Sequence, residues 1–295
     1  MTSFLLLALA LAASVRAVPA EAPTVPTEQI FPVAAVKSHV FSSADASRGK
    51  RGVAYNNPDF VKHFDIPRSK VSWIYNWYSA PGDTRIWWEF SPMLHSNRPD
   101  HTGIWFQNVE TCSKVYPPGK INVLSFNEPD QCGNGGACMQ HIPTTVDEHR
   151  RWIEPLRSKY GDRLIVGSPA ITNGVGDPAN GNIMGLPYLK EFLKQCHGCQ
   201  IDFVVIHWYD SARNPGYFKW HVEQVHRETG KPVWITEFGP SGTEHEQALF
   251  LTDVLPWLDA QPYVHRYSMF MASQGNLIKP DGTGLSELGV IYATY

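Results

Sequence analysis

From Arg51 onward, short apolar runs alternate with longer mixed or amphipathic segments at roughly regular intervals. The runs are GVAYN (52–56), VSWIYNW (71–77), part of TRIWWEFSPML (84–94), INVLSFNE (121–128), RLIVGSPAI (163–171), IDFVVIHWY (201–209), PVWITEFG (232–239) and HRYSMFMA (265–272). INVLSFNE has four apolar residues in its first six positions, as a strand buried on both faces of a parallel sheet requires. Between the later runs the pattern turns helical. Residues 146–161 bring Trp152, Ile153, Leu156 and Tyr160 to one face and close on Gly161. Segments 186–195, 217–228 and 244–258 behave likewise, whereas 57–65 has room for about two turns and 100–111 for one irregular helix. The pattern predicts an α/β fold, a single-domain (β/α)8 TIM barrel with reduced helices in its first half. An open doubly wound sheet is the alternative, but no GxGxxG fingerprint marks a first strand–helix turn.

Composition narrows this. At 295 residues, 43% hydrophobic and 18% charged, the chain can bury one full barrel core, and a net charge of -3 without blocks of like charge suggests no nucleic-acid partner. Phe4 to Ala13 form an apolar run of about ten residues, right for a signal-peptide core and short of the ~20 of a membrane span. The expected division is a signal peptide at 1–17, with cleavage possible at 20, then a propeptide or linker at 18–50 and a catalytic domain at 51–295. A secreted chain, extracellular or in the cell wall and off the membrane once the leader is removed, follows from this. No Asn-x-Ser/Thr acceptor occurs. In an oxidising compartment the five cysteines leave one unpaired. Cys132 and Cys138 bracket a glycine-rich loop, and Cys196 and Cys199 form a CHGC motif; all four are disulfide candidates, with Cys112 as a buried free thiol. A zinc or redox reading of CHGC with His197 competes, but lacks a second CxxC.

Two of the strands end in a carboxylate followed closely by proline. Pro129 disfavours the helical region for Glu128 and should stop the fourth strand there, and TEFGP brings Glu237 to the tip of the seventh. In one parallel barrel both reach the C-terminal face, where active sites of that architecture lie. FNEPD, the HWY after the sixth strand and WITEFG resemble the glycoside hydrolases of the 4/7 barrel superfamily, and more narrowly family 128, the small fungal and bacterial β-1,3-glucanases. The resemblance covers about residues 51–295. The eighth strand departs from many superfamily members: Tyr267, Ser268, Met269, Phe270 and Met271 stand where a tryptophan commonly floors the site.

The resemblance implies a retaining hydrolase working by double displacement, with Glu128 as acid/base and Glu237 as nucleophile, their carboxyl groups about 5–5.5 Å apart. Repulsion from an ionised Glu237 would keep Glu128 protonated, and loss of that charge in the glycosyl ester would let it act as a base. Asn127 is expected to bind the sugar 2-hydroxyl, and His207 or Tyr209 to hold Glu237. Trp208, Tyr55, Asn76, Trp77 and Tyr267 are candidate sugar contacts, since aromatic faces suit C–H bonds and strand-end amides suit hydroxyls; Asn56 is a further polar liner. Trp73 and Tyr75 share a face with Trp77 and read as packing. The expected partners are β-1,3-glucan polysaccharide and oligosaccharides, cleaved by an endo-acting, monomeric enzyme that needs no metal or cofactor. Another retaining β-glycosidase and a non-catalytic glucan-binding barrel are the alternatives; absence of repeats argues against a structural wall protein.

Overall fold

The computed structural model describes residues 49–86, 88–115 and 119–295, which fall within one unit spanning Ser42–Tyr295. The expected signal peptide, and all but the last two residues of the expected linker, lie outside the described residues. Among the described residues eight strands make the main sheet, β1 (Arg51–Ala54), β2 (Val71–Tyr75), β3 (Glu89–Phe90), β4 (Ile121–Val123), β5 (Leu164–Ile171), β6 (Phe203–Ser211), β7 (Val233–Ser241) and β8 (Val264–Met269), and two short antiparallel hairpins pair Cys132–Gly133 with Gly136–Ala137 and Gly176–Asp177 with Asn182–Ile183. Neighbours pair in parallel in the order β3-β2-β1-β8-β7-β6-β5-β4. A bridge between Met93 and Leu124 joins the two ends, with Leu94 N–H donating to Leu124 O at 3.0 Å and Leu124 N–H to Pro92 O at 2.9 Å. The sheet therefore closes, as the alternation of elements predicts.

The helices are α1 (Trp105–Val115), α2 (Ile142–Trp152), α3 (Glu154–Tyr160), α4 (Gly185–Gln195), α5 (Pro215–Thr229), α6 (Glu244–Ala260) and α7 (Glu287–Thr294). The first half is thin: among the described residues only a 3-10 helix at Pro58–Phe64 and a single turn at Pro99–Thr102 precede α1. Residues 146–161, expected as one helix, divide between α2 and α3 because Pro155 has no N–H to continue the ladder. Side-chain oxygens of Asn57, Asn214 and Thr243 cap the Pro58 helix, α5 and α6, and Thr243 forms a full capping box with Glu246. Among the described residues no helix is long and apolar enough to cross a membrane.

The barrel interior is plugged by large side chains for which glycine makes room. A Cβ on Gly52 would lie 2.2 Å from the Trp73 indole, and one on Gly167 would lie 2.6 Å from the Phe203 ring. Phe203 stacks on Trp234 at 4.0 Å, and the Arg266 guanidinium sits 4.6 Å from the Trp234 centroid and 5.3 Å from that of Trp73. Arg266 pairs with Glu89 at 2.7 Å, and Asn122 donates to the other oxygen of Glu89, so the buried charges are matched. Outside the strands, α7 packs on α6 and is tied to β1: Tyr292 donates from its hydroxyl to Gly52 O at 2.7 Å, and Arg51 donates to Tyr292 O. Lys50, immediately before β1, is tied to α6. Its ammonium caps α6 through Leu258 O (3.2 Å), Asp259 O (2.9 Å) and Gln261 O (2.6 Å).

Both expected disulfides form, Cys132–Cys138 and Cys196–Cys199, and Cys112 is unpaired and buried. The CHGC cysteines are thus bonded to each other, which withdraws them as zinc ligands. Burial pushes the Cys112 thiol up to about 12, leaving it inert.

Candidate active site

The two glutamates reach the mouth of the barrel by different local devices. Past Val123 the fourth strand keeps touching its neighbours: Asn127 N–H donates to His95 O at 2.9 Å and Glu128 N–H to Ala170 O at 2.8 Å. Glu128 itself turns left-handed, with φ +42. Pro129 bars the right-handed alternative, and the cost of such a conformation, about 1 kcal/mol or more, is met by the contacts around it. Glu237 is delivered by a bulge. Ile206 lies opposite Ile235 but His207 lies opposite Glu237, so β7 carries one extra residue and both Thr236 and Glu237 face inward.

His207 lies fully buried between them. Its Nδ1 is 2.8 Å from Oε1 of Glu128, and its Nε2 is 2.9 Å from Thr236 Oγ1 and 3.4 Å from Oε1 of Glu237. Burial disfavours the imidazolium, but the charges of Glu237 and Glu128 outweigh it and hold His207 above its ordinary range. Trp77 Nε1 donates to Oε1 of Glu237 at 2.6 Å, the Tyr209 hydroxyl donates to Oε2 of Glu237, and Gln131 Nε2 donates to Oε2 of Glu128 at 2.9 Å. All four carboxylate oxygens therefore have a donor. Burial, reinforced by Glu237, pushes the Tyr209 phenol far up, so it remains a donor.

A carboxylate oxygen of Glu128, one of Glu237 and a ring nitrogen of His207 lie within 4.8 Å of one another. That spacing would suit one cation, yet each atom concerned is already engaged in a protein hydrogen bond, an arrangement suited to holding protons.

The pair faces a cleft of about 730 Å³ to which the ends of most strands contribute. Asn56 follows β1, Trp77 follows β2, His95 follows β3, Asn127, Gln131 and the 134–135 loop follow β4, Thr172 to Gly174 follow β5, and Phe270 follows β8. Trp77 and Tyr209 meet Phe270 edge-on at 5.5 and 5.7 Å. Asn127 donates through Nδ2 to Gly135 O at 3.1 Å, while its Oδ1 is buried with no partner. Burial, with His101 and Arg98 adding to it, brings His95 down to about 4.

A model of the glycosyl hydrolase catalytic core matches residues 52–292. A solved structure of a family 128 (subgroup III) curdlan-specific exo-β-1,3-glucanase from Blastomyces gilchristii is 34% identical, covering 83% of this chain and 98% of that one with a TM-score of 0.71. This chain belongs to glycoside hydrolase family 128. A second family 128 structure, a subgroup II endo-β-1,3-glucanase from Sorangium cellulosum, is 26% identical, covers 82% of this chain and 97% of that one, and has a TM-score of 0.65. Among curated proteins, alkali-sensitive linkage protein 1 of Schizosaccharomyces pombe is 29% identical over 263 residues; the match takes in 83% of this chain but only 44% of that protein's length.

Within this family 128 barrel, Glu128, Glu237, Asn127, Trp77, Tyr209 and His207 come together, His207 beneath the cleft rather than on its surface. Four candidates stand elsewhere. Trp208 points outward, stacked on Phe250 at 5.4 Å and edge-on to Phe218 at 5.1 Å, because it alternates with the inward His207 and Tyr209. Tyr267 also faces out: its hydroxyl donates to Asp259 at 2.6 Å and accepts from Arg51 at 2.9 Å. Tyr55 is fully buried with its hydroxyl on Pro81 O at 2.7 Å, and Asn76 folds onto its own loop through Ala80 O at 2.9 Å. His95, Gln131, Asn173 and Phe270 line the cleft without having been foreseen. Only Phe270 had a signal, since it shares parity with the inward Arg266 and Ser268.

Proposed function

We propose that this family 128 glycoside hydrolase cleaves β-1,3-glucan with retention of configuration, Glu128 acting as acid/base and Glu237 as nucleophile. The observation that carries this reading is the approach of the two carboxylates to within 4.8 Å across a sugar-sized cleft. That is close to the roughly 5–5.5 Å of retaining enzymes and well short of the roughly 6.5–9.5 Å at which inverting enzymes seat their water against the sugar. The substrate follows from the relatives at 34% and 26% identity, both β-1,3-glucanases.

Glu237 attacks the anomeric carbon as Glu128 gives its proton to the leaving oxygen; a water, deprotonated by Glu128, then releases the glycosyl ester. Donors from Trp77 and Tyr209 hold and aim Glu237. The unpartnered Oδ1 of Asn127 accepts from a sugar hydroxyl, the 2-hydroxyl in this reading. Residues 51–295 form the catalytic domain of a secreted, monomeric enzyme, and 1–17 and 18–50 serve as signal peptide and linker.

Proton NMR of laminarin digests provides the test. Products must appear first as the β-anomer; α-anomer first would overturn retention. Glu237→Ala must abolish hydrolysis and keep laminari-oligosaccharide binding, and hydrolysis at the wild-type rate would remove the mechanism. Product length separates exo from endo action, which the two relatives divide between them.

A further inference from the structure

Glu128 meets two side chains, and only one of them stands on the barrel wall. His207 on β6 holds Oε1, whereas Oε2 accepts from Gln131, three residues on in the chain. Gln131 has no strand beneath it. Its backbone is fixed by the hairpin that starts beside it: its carbonyl accepts from Cys138 N–H at 3.1 Å, and its own N–H donates to Glu128 O at 3.1 Å. Gly136 crosses so near that a Cβ there would lie 2.4 Å from the Gln131 carbonyl oxygen. The Cys132–Cys138 bridge closes the loop, and the same hairpin grips Asn127, through Gly135 O at 3.1 Å and Ala137 N–H at 2.8 Å.

We infer that Gln131 is a positioning residue for Glu128, kept in place by the disulfide-closed hairpin. This rests on the acid/base role proposed above. The acid/base must be held in both of its states, since it loses a proton in one half-reaction and regains it in the other. A primary amide reaches both, though unequally: its N–H donates most strongly to an ionised Oε2, the contact seen here, and, turned about its last torsion, its carbonyl accepts more weakly from a protonated one. His207 cannot take over, because its two nitrogens are occupied by Oε1 and by Thr236. The other titratable groups that act on or beside Glu128 are Glu237 from β7, Tyr209 from β6, Tyr75 from β2, His95 after β3 and the adjacent Asp130.

The test compares Gln131→Leu and a Cys132→Ser/Cys138→Ser double variant with the wild-type chain on laminarin across pH. Gln131→Leu should lower kcat roughly tenfold at unchanged KM. Its alkaline limb of kcat/KM should move upward by about half a unit to one unit, because a donor that favours the carboxylate has gone. The double serine variant should move the same limb in the same direction by a smaller amount. A folded Gln131→Leu enzyme whose kcat drops with the limb unmoved would show a merely structural role and overturn the proposal. A double serine variant with the wild-type profile would overturn the part given to the hairpin. Glu128→Gln separates the two readings: wild-type activity there removes the acid/base assignment and this proposal together, whereas an inactive Glu128→Gln beside an unaltered Gln131→Leu removes this proposal alone.

Discussion

Replacing Gly52 by alanine tests whether the packed floor under the cleft is as closely filled as its contacts imply. The added Cβ would stand 2.2 Å from Cε2 and 2.6 Å from Cδ2 and Cζ2 of Trp73. Carbon atoms rest about 3.5–4.0 Å apart, so the indole or β1 must move by more than ~1 Å. The indole has nowhere to go. Its Nε1 donates to Lys50 O at 2.9 Å, and its ring is hemmed by Arg266 at 5.3 Å, Trp234 at 5.4 Å and Tyr75 at 5.9 Å. Overpacking typically costs about 1–3 kcal/mol, and confinement on several sides puts this site near ~3 kcal/mol. A domain of this size loses about 2–4 °C per kcal/mol, so Tm should fall by roughly 6–12 °C in a calorimetric scan. Gly216→Ala in α5 is the control: nothing lies within 4 Å of its Cβ, and Tm should hold or rise slightly. A Gly52→Ala protein melting within about 2 °C of wild type would refute the reasoning, since that is less than even ~1 kcal/mol of overpacking should produce.

Three further outcomes follow from the same geometry. Trp77→Phe keeps the ring against Phe270 but removes the donor to Glu237, and laminarin kcat/KM should fall about ten- to a hundredfold by steady-state assay. Trp208→Leu should lower Tm while leaving KM unmoved, because that ring packs on Phe218 and Phe250; a raised KM would return it to the cleft. In a pH series of thermal melts, the signs of the buried histidines differ. His149, which burial and Arg150 bring down from 6.5 to about 3, and His221, brought down to about 4 by burial, are held neutral in the fold. Their contribution is whole above 6.5 and is lost as pH falls toward those values, at about 1.4 kcal/mol per pH unit for each; His149→Leu should flatten that slope. His207, held upward, contributes in the opposite sense, fully present below 6.5 and lost as pH rises through its raised value.

The strand runs and the two terminal glutamates were legible because each depends on local pattern: apolar runs, turn residues and a proline behind each carboxylate. Which side a neighbouring residue faces was legible too, by parity. Trp77, His207 and Tyr209 face inward with Asn56 and Phe270, while Asn76, Trp208, Tyr55 and Tyr267 alternate outward or into loops. Choosing residues for aromatic or amide chemistry rather than parity explains those four misplacements. The bulge at Thr236–Glu237 was not legible, since an extra residue in one strand is defined only by register against another. Nor were His95 and Gln131. They lie in connections whose paths are set by tertiary contacts, and neither carries a periodic signal.

The clasp made by α7 bears on how the molecule is born. Tyr292 touches the first strand through Gly52 O and the last through Met269 N–H at 3.2 Å, and Ala293 O accepts from Lys70 N–H at 2.8 Å. A nascent chain whose α7 is still inside the ribosomal exit tunnel lacks the tie that Tyr292 adds to the pairing of its oldest strand with its youngest. Completion of this barrel is thus an event that follows the synthesis of Tyr292, and until then the earlier strands must be shielded from pairing with strangers.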